Sequence, residues 1–201
     1  WHPMPYLEHG EFYSDFGNFE VNITLPKKYF IAATGELQND EELQLMKKLG
    51  NTAFDKQPNY AILDEDEIET SNSKSKKENF IIKSKLKSET KTLIYKQNNV
   101  HDFAWFASDN FLIQYDTCKI KQNIIDCFVF TNRKRVNQSK DKENVIKNTI
   151  RNYSNWLGEY PYKTVSVVIG KKGNDDGMEY PTITYINISE KSKNLDDIIS
   201  H

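Results

Sequence analysis

Apolar and polar residues alternate along residues 19–25: Phe19, Val21, Ile23 and Leu25 fall on one side of an extended chain, Glu20, Asn22 and Thr24 on the other. A period of two belongs to a strand with one face on a core and one in water. Pro26, Lys27 and Lys28 supply turn residues, and residues 29–37 predict a returning strand that closes near Gly35. Residues 41–49 switch to helical spacing over a short span ended by Gly50, which predicts a short surface helix. Residues 62–79 carry a block of acids and then a block of Ser and Lys. Their spacing lacks the Gly and the terminal bidentate Glu of a calcium loop, so they predict a solvated connection. Strand patterns resume at 79–87 and 91–97, and the aromatic stretch 100–108 predicts a buried strand.

The second half follows a different grammar. If Gln122 and Asn123 centre a tight hairpin, Cys118 and Cys127 oppose each other at a non-hydrogen-bonded position, within reach of a disulfide. Two free buried thiols are the plainer reading of the same pair. After the strand 127–131, Ser139 or Asp141 caps a helix over about 142–157. Val145, Ile146, Thr149, Ile150, Tyr153, Trp156 and Leu157 recur on one face, and Gly158 stops it. Residues 162–170 follow as a continuous apolar strand, which predicts burial on both faces. The expected fold class is α+β, with a boundary near residue 120: a β-rich domain over 1–120 and an α/β unit over 121–201.

Composition narrows the function. A net charge of -2, with Arg only at positions 133, 135 and 151, gives no electrostatic case for nucleic acid. No apolar run approaches the length that crosses a bilayer, and membrane attachment is left open. The chain begins without Met and breaks off in a helix-like segment, so both ends read as internal. His2, His9 and His101 are scattered in β-rich sequence and read as surface or packing residues, while Trp1, Trp105 and Trp156 read as core or domain-interface residues.

Candidate chemistry sits in residues 174–186, where Glu179 stands between Gly177-Met178 and Tyr180-Pro181 at the mouth of a strand-like run. Pro tolerates only the first residue or the edge of a strand, so Glu179 is a carboxylate at an exposed strand end. Taken alone, such a group is either a solvated charge or an anion held for a cation. The order of β-rich module, helix, buried strand, "GMEYPTITYI" and a helix ending in "DDIISH" resembles the thermolysin-like zinc aminopeptidases of the aminopeptidase N and leukotriene hydrolase family. The early stretches "WHPMPYLEHGEFYSDFGNFEVNITLP" and "VHDFAWFAS" look like the N-terminal domain of a bacterial branch of these enzymes. The resemblance covers most of the chain. It departs from the commoner Gly-Ala-Met-Glu-Asn motif at Asp176 and Gly177, which stand where that motif has Gly-Ala, and at Tyr180, which replaces its Asn.

The resemblance implies a partial saddle-like antiparallel β-sandwich joined to the first part of a thermolysin-like catalytic domain. It implies that Glu179 anchors the α-ammonium group of a peptide substrate, with Gly177, Met178 and Tyr180 lining the same subsite. It also implies that His201 is the first zinc ligand of a His-Glu-x-x-His motif. A catalytic zinc takes three protein ligands, so zinc is expected in a longer protein and not in this chain, which is expected to be catalytically silent. Peptides with a free N-terminus are the expected partners. Uncovered apolar faces on residues 165–170 and 142–157 predict self-association, and an exported or cell-envelope location is favoured over a cytoplasmic one. The readings from other classes are a non-catalytic β-rich module for peptides or glycans and a metal-free scaffold of the same fold.

Overall fold

A computed structural model describes residues 14–58, 89–172, 176–189 and 195–201. The acidic block and the strand predicted over 79–87 lie outside the described residues, as do Trp1, His2 and His9.

The alternation at 19–25 becomes β1 (Gly17–Pro26), with Ile23 and Leu25 buried and Glu20, Asn22 and Thr24 exposed. After it come β2 (Phe30–Ala33), β3 (Glu36–Leu37), helix α1 (Asp40–Gly50) and β4 (Thr90–Val100). β4 lies between β1 and β3 in one antiparallel sheet. The returning strand expected over 29–37 is split. β2 does not pair with β1 but crosses to β5 (Trp105–Ser108), and Thr34-Gly35 breaks it from β3 with a φ of 86° at Gly35. Residues 101–104 form a loop, so the stretch 100–108 is no single strand: Val100 ends β4 and the last four residues are β5. Trp105 and Trp156 are 50% and 70% exposed, which corrects their reading as core residues. α1 is less superficial than its sequence: Met46 is buried, and an added Cβ on Gly50 would lie 2.3 Å from Tyr115 Cβ.

The rest of the chain builds a five-stranded sheet in the order β6-β7-β8-β10-β9, from β6 (Phe111–Ile120), β7 (Asn123–Asn132), β8 (Thr164–Lys172), β9 (Asp176–Tyr180) and β10 (Ile183–Ile188). β7, β8 and β10 run parallel, while β6 and β9 are antiparallel edges. A division of the chain at 120/121 falls in the β6–β7 turn, with both strands in this one sheet. The connection from β7 to β8 contains a single helical turn α2 (Val136–Ser139) and the helix α3 (Lys142–Leu157), at the span the apolar spacing predicts. α4 (Leu195–Ser200) follows β10.

Strand β8 is buried on both faces, as a continuous apolar run requires. Val168 joins Ile113, Phe128, Phe130 and Ile183 on the face that meets β1–β5. Val167 and Ile169 join Cys118, Ile125, Cys127 and Ile186 under Ile146 and Ile150 of α3 and Leu195 and Ile199 of α4. Of the two faces expected to be uncovered, the strand is therefore covered, while α3 leaves Tyr153, Trp156 and Leu157 exposed at its end.

The cysteine hairpin takes a register two residues away from the expected one. Cys118 faces Ile125 and Cys127 faces Asp116, with the turn at Lys121-Gln122 and a φ of 49° at Lys121. The two thiols are diagonal neighbours on one face, both free and buried. Burial, followed by nearby negative charge at Cys118 and Asp116, pushes the Cys127 thiol up to about 12.

Candidate functional site

Among the described residues β9 is hydrogen-bonded on one side only. Glu179 is registered with Thr184, Met178 with Tyr185 and Gly177 with Ile186 of β10, and β9 ends the strand order. Pro181-Thr182 is a two-residue turn, which makes Tyr180 and Ile183 a hydrogen-bonded pair. Alternation along the ladder then leaves Gly177 and Glu179 with backbone N–H and C=O turned away from β10, toward the open edge. An unpaired edge of this kind is a template for an extended peptide.

The pleat sorts the four predicted residues into two pairs. Gly177 and Glu179 are exposed and lie on the helix-covered face. An added Cβ on Gly177 would sit 3.5 Å from Ile198 Cγ2 of α4, and Ile186 opposite it is buried among the helix-side residues. Met178 and Tyr180 are half-buried on the other face, where the Tyr180 ring lies 6.5 Å from Phe106. Phe106 also stacks on Tyr185 at 4.8 Å and 11°, so an aromatic from β5 braces the β9–β10 hairpin from below.

Among the described residues no lysine or arginine forms an ion pair with Glu179, in contrast to the acids that carry such partners, such as Glu42 with Lys91 and Asp109 with Lys28. A carboxylate without a cation at an open strand edge is electrostatically ready to receive one. Burial raises the Tyr180 phenol above its ordinary range, and Asp102 and Glu179 add to that shift. These two carboxylates come from different parts of the chain, Glu179 from β9 and Asp102 from the β4–β5 loop. Asp102 was not among the residues singled out from sequence. It stands in an aperiodic loop, and its only signal is an acid among the aromatics of "VHDFAWF".

His201 is exposed at the end of α4, where its N–H donates to the Asp197 carbonyl at 3.0 Å. His101 packs edge-on against Phe16 at 5.6 Å, a packing role. Among the described residues no three His, Cys, Asp or Glu side chains come together as a metal ion requires. The residues present do not by themselves fit a zinc ion, and no step is derived through one.

No protein-family model matches this chain, and no curated protein matches it by sequence. Solved structures do match its fold. A two-domain M1 zinc metallopeptidase bound to L-arginine superposes with a TM-score of 0.55 at 14% identity, over 94% of this chain and 34% of its own. The M1 zinc metallopeptidase of Deinococcus radiodurans gives 0.53 at 14% identity, over 90% and 32%. Aminopeptidase A of Legionella pneumophila, in complex with aspartic acid, gives 0.55 at 9% identity, over 93% and 18%. The chain spans about a third or less of the length of these structures, and over that span it has the α+β fold of M1 zinc metallopeptidases.

Proposed function

We propose that this chain is the substrate-binding portion of a zinc aminopeptidase. In this reading β9 receives the N-terminal end of a peptide as an added strand, and Glu179 holds its α-ammonium group. The observation that carries the proposal is the Gly177-Met178-Glu179 segment at the open edge of the mixed sheet, its carboxylate unpaired by any described cation, in a chain with the fold of aminopeptidases.

The chemistry follows from the arrangement. The backbone groups of Gly177 and Glu179 align an extended peptide along β9, and the carboxylate on the same strand meets the one feature that distinguishes a chain end, a primary ammonium. Residues further along a peptide have no such charge, so the anchor selects removal of terminal residues. Zinc, when bound, supplies a Lewis acid and an activated water. In this reading His201 is one ligand and the others come from sequence outside this chain, so the chain alone binds chain ends without cleaving them.

The test is a comparison of the full-length protein with its Glu179→Gln variant on aminoacyl substrates. A charge-assisted contact of this kind implies that kcat/KM for free-amino substrates falls about 10–100-fold. Full activity in Glu179→Gln removes the anchor role. A full-length protein that binds no zinc and cleaves nothing but still binds peptides or glycans supports the non-catalytic module instead.

A further inference from the structure

The turn between β2 and β3 is hydrogen-bonded both to the β4–β5 loop and to the turn that ends β9. Thr34 is fully buried and exchanges two hydrogen bonds with Ala104. Its N–H donates to the Ala104 carbonyl at 2.9 Å, and its Oγ1 accepts from the Ala104 N–H at 3.1 Å. Ala104 closes the loop that carries Asp102. The next residue makes the second link: Gly35 N–H donates to Thr182 Oγ1 at 2.8 Å, in a buried bond between residues far apart in sequence. Thr182 is the second residue of the turn that ends β9, three positions after Glu179.

Thr182 is held in an unusual state. Its φ is 65°, a left-handed conformation that a β-branched residue rarely adopts, and the side chain is buried. Two long-range bonds fix it there: the one from Gly35, and its own carbonyl accepting the Ser166 N–H of β8 at 2.9 Å. Gly35 is equally constrained, since its φ is 86° and a Cβ there would lie 2.5 Å from the Lys96 carbonyl oxygen. A strained backbone locked by long-range hydrogen bonds, one turn from a binding carboxylate, is how a protein fixes the position of a group it needs.

We infer that Thr182 and the Thr34-Gly35 turn are positioning residues for the amine site, tying the loop of Asp102 and the strand of Glu179 to one buried point. The N-terminal sheets thereby bear on where Glu179 stands, although β9 belongs to the mixed sheet. This inference rests on the aminopeptidase reading.

The experiment measures, in the full-length protein, the affinities for an amino acid amide and for its des-amino analogue. Their ratio reports the ammonium contact alone. Thr182→Gly takes up a φ of 65° without strain but lacks the hydroxyl. Its melting temperature is expected within a few degrees of the parent's, while the ratio falls about tenfold, the loss expected from one well-placed polar contact. Thr182→Ser, which keeps the hydroxyl, restores the ratio. If Thr182→Gly keeps the ratio, or weakens both ligands equally, Thr182 has only a structural role and the inference fails. Glu179→Gln is measured alongside: if that change leaves the ratio intact, the amine-anchor reading itself falls and takes the inference with it. If Glu179→Gln abolishes the ratio and Thr182→Gly does not, positioning alone is overturned.

Discussion

The two edges of the mixed sheet are treated in opposite ways. On β6 the outward backbone groups of Ile113 are met by one side chain: Gln57 Oε1 accepts the Ile113 N–H at 2.9 Å, and Gln57 Nε2 donates to the Ile113 carbonyl at 2.7 Å. Its remaining donor capacity goes to the carbonyls of Leu49 and Thr52. A primary amide there mimics the next strand, and α1 closes over β6 through the close approach of Gly50 to Tyr115. On β9 no described residue takes that place. A bare edge invites unwanted pairing, and proteins ordinarily blunt it. The chain blunts one edge at Ile113 with a buried amide, and among the described residues it leaves the other open beside a carboxylate with no ion-pair partner.

The contrast breaks most visibly at Gln57. Gln57→Ala leaves the Ile113 N–H and C=O and two further carbonyls short of partners, and a loss of about 3–5 kcal/mol is expected. Urea unfolding should show it as a fall in midpoint at constant m-value. Gly50→Ala comes next. Helix propensity alone predicts a gain, but the new Cβ meets Tyr115 Cβ at 2.3 Å and its N at 2.7 Å, so a net loss of about 1–3 kcal/mol is expected from the same measurement.

The open edge predicts the reverse sensitivity. Glu179→Gln should change stability by less than about 0.5 kcal/mol, since an exposed group with no described cation contributes little to folding. Peptide binding should weaken all the same, and methylating the backbone amide of a peptide where it meets β9 should weaken it again. An unfolding midpoint that moves as far for Glu179→Gln as for Gln57→Ala would erase the distinction between the edges.

The smallest effect at neutral pH comes from Cys127, which lies one strand in from the closed edge. Its folded pKa of about 12 stands above the ordinary 9.0. The folded protein holds that proton more tightly than the unfolded chain, so this contribution is complete below pH 9 and is lost as pH rises from 9 toward 12. Thiol labelling of the native protein at pH 8 should accordingly be slow, and faster in Gln57→Ala.

Legibility in the sequence followed the strength of local signals. Helix α3 was readable to the residue because its apolar spacing and Gly158 agree, and β8 because its apolar run needs cover on both faces. The cysteine hairpin was misregistered for a definite reason. Turns at 121–122 and at 122–123 both close with two residues and differ by a two-residue slip, which keeps every side chain on its own face. Alternation therefore cannot choose between them. The observed register sets Tyr115 opposite Phe128 with rings 5.0 Å apart, a cross-strand contact visible only after pairing.

By itself the sequence determined the periods of β1, β8 and the long helix, while Gly177-Met178-Glu179, read as the mouth of the strand after Pro181, forms the separate strand β9. Periods are properties of neighbouring residues, fixed by dihedral preference and the side on which apolar groups fall. The tertiary structure alone decided which strands pair, sending β2 to β5 and setting β9 at an open edge. It alone joined Thr34 to the loop of Asp102, and Gly35 to Thr182 across most of the chain. Contacts between residues so far apart leave no periodic trace, because each rests on burial shared with the whole fold rather than on the sequence around it.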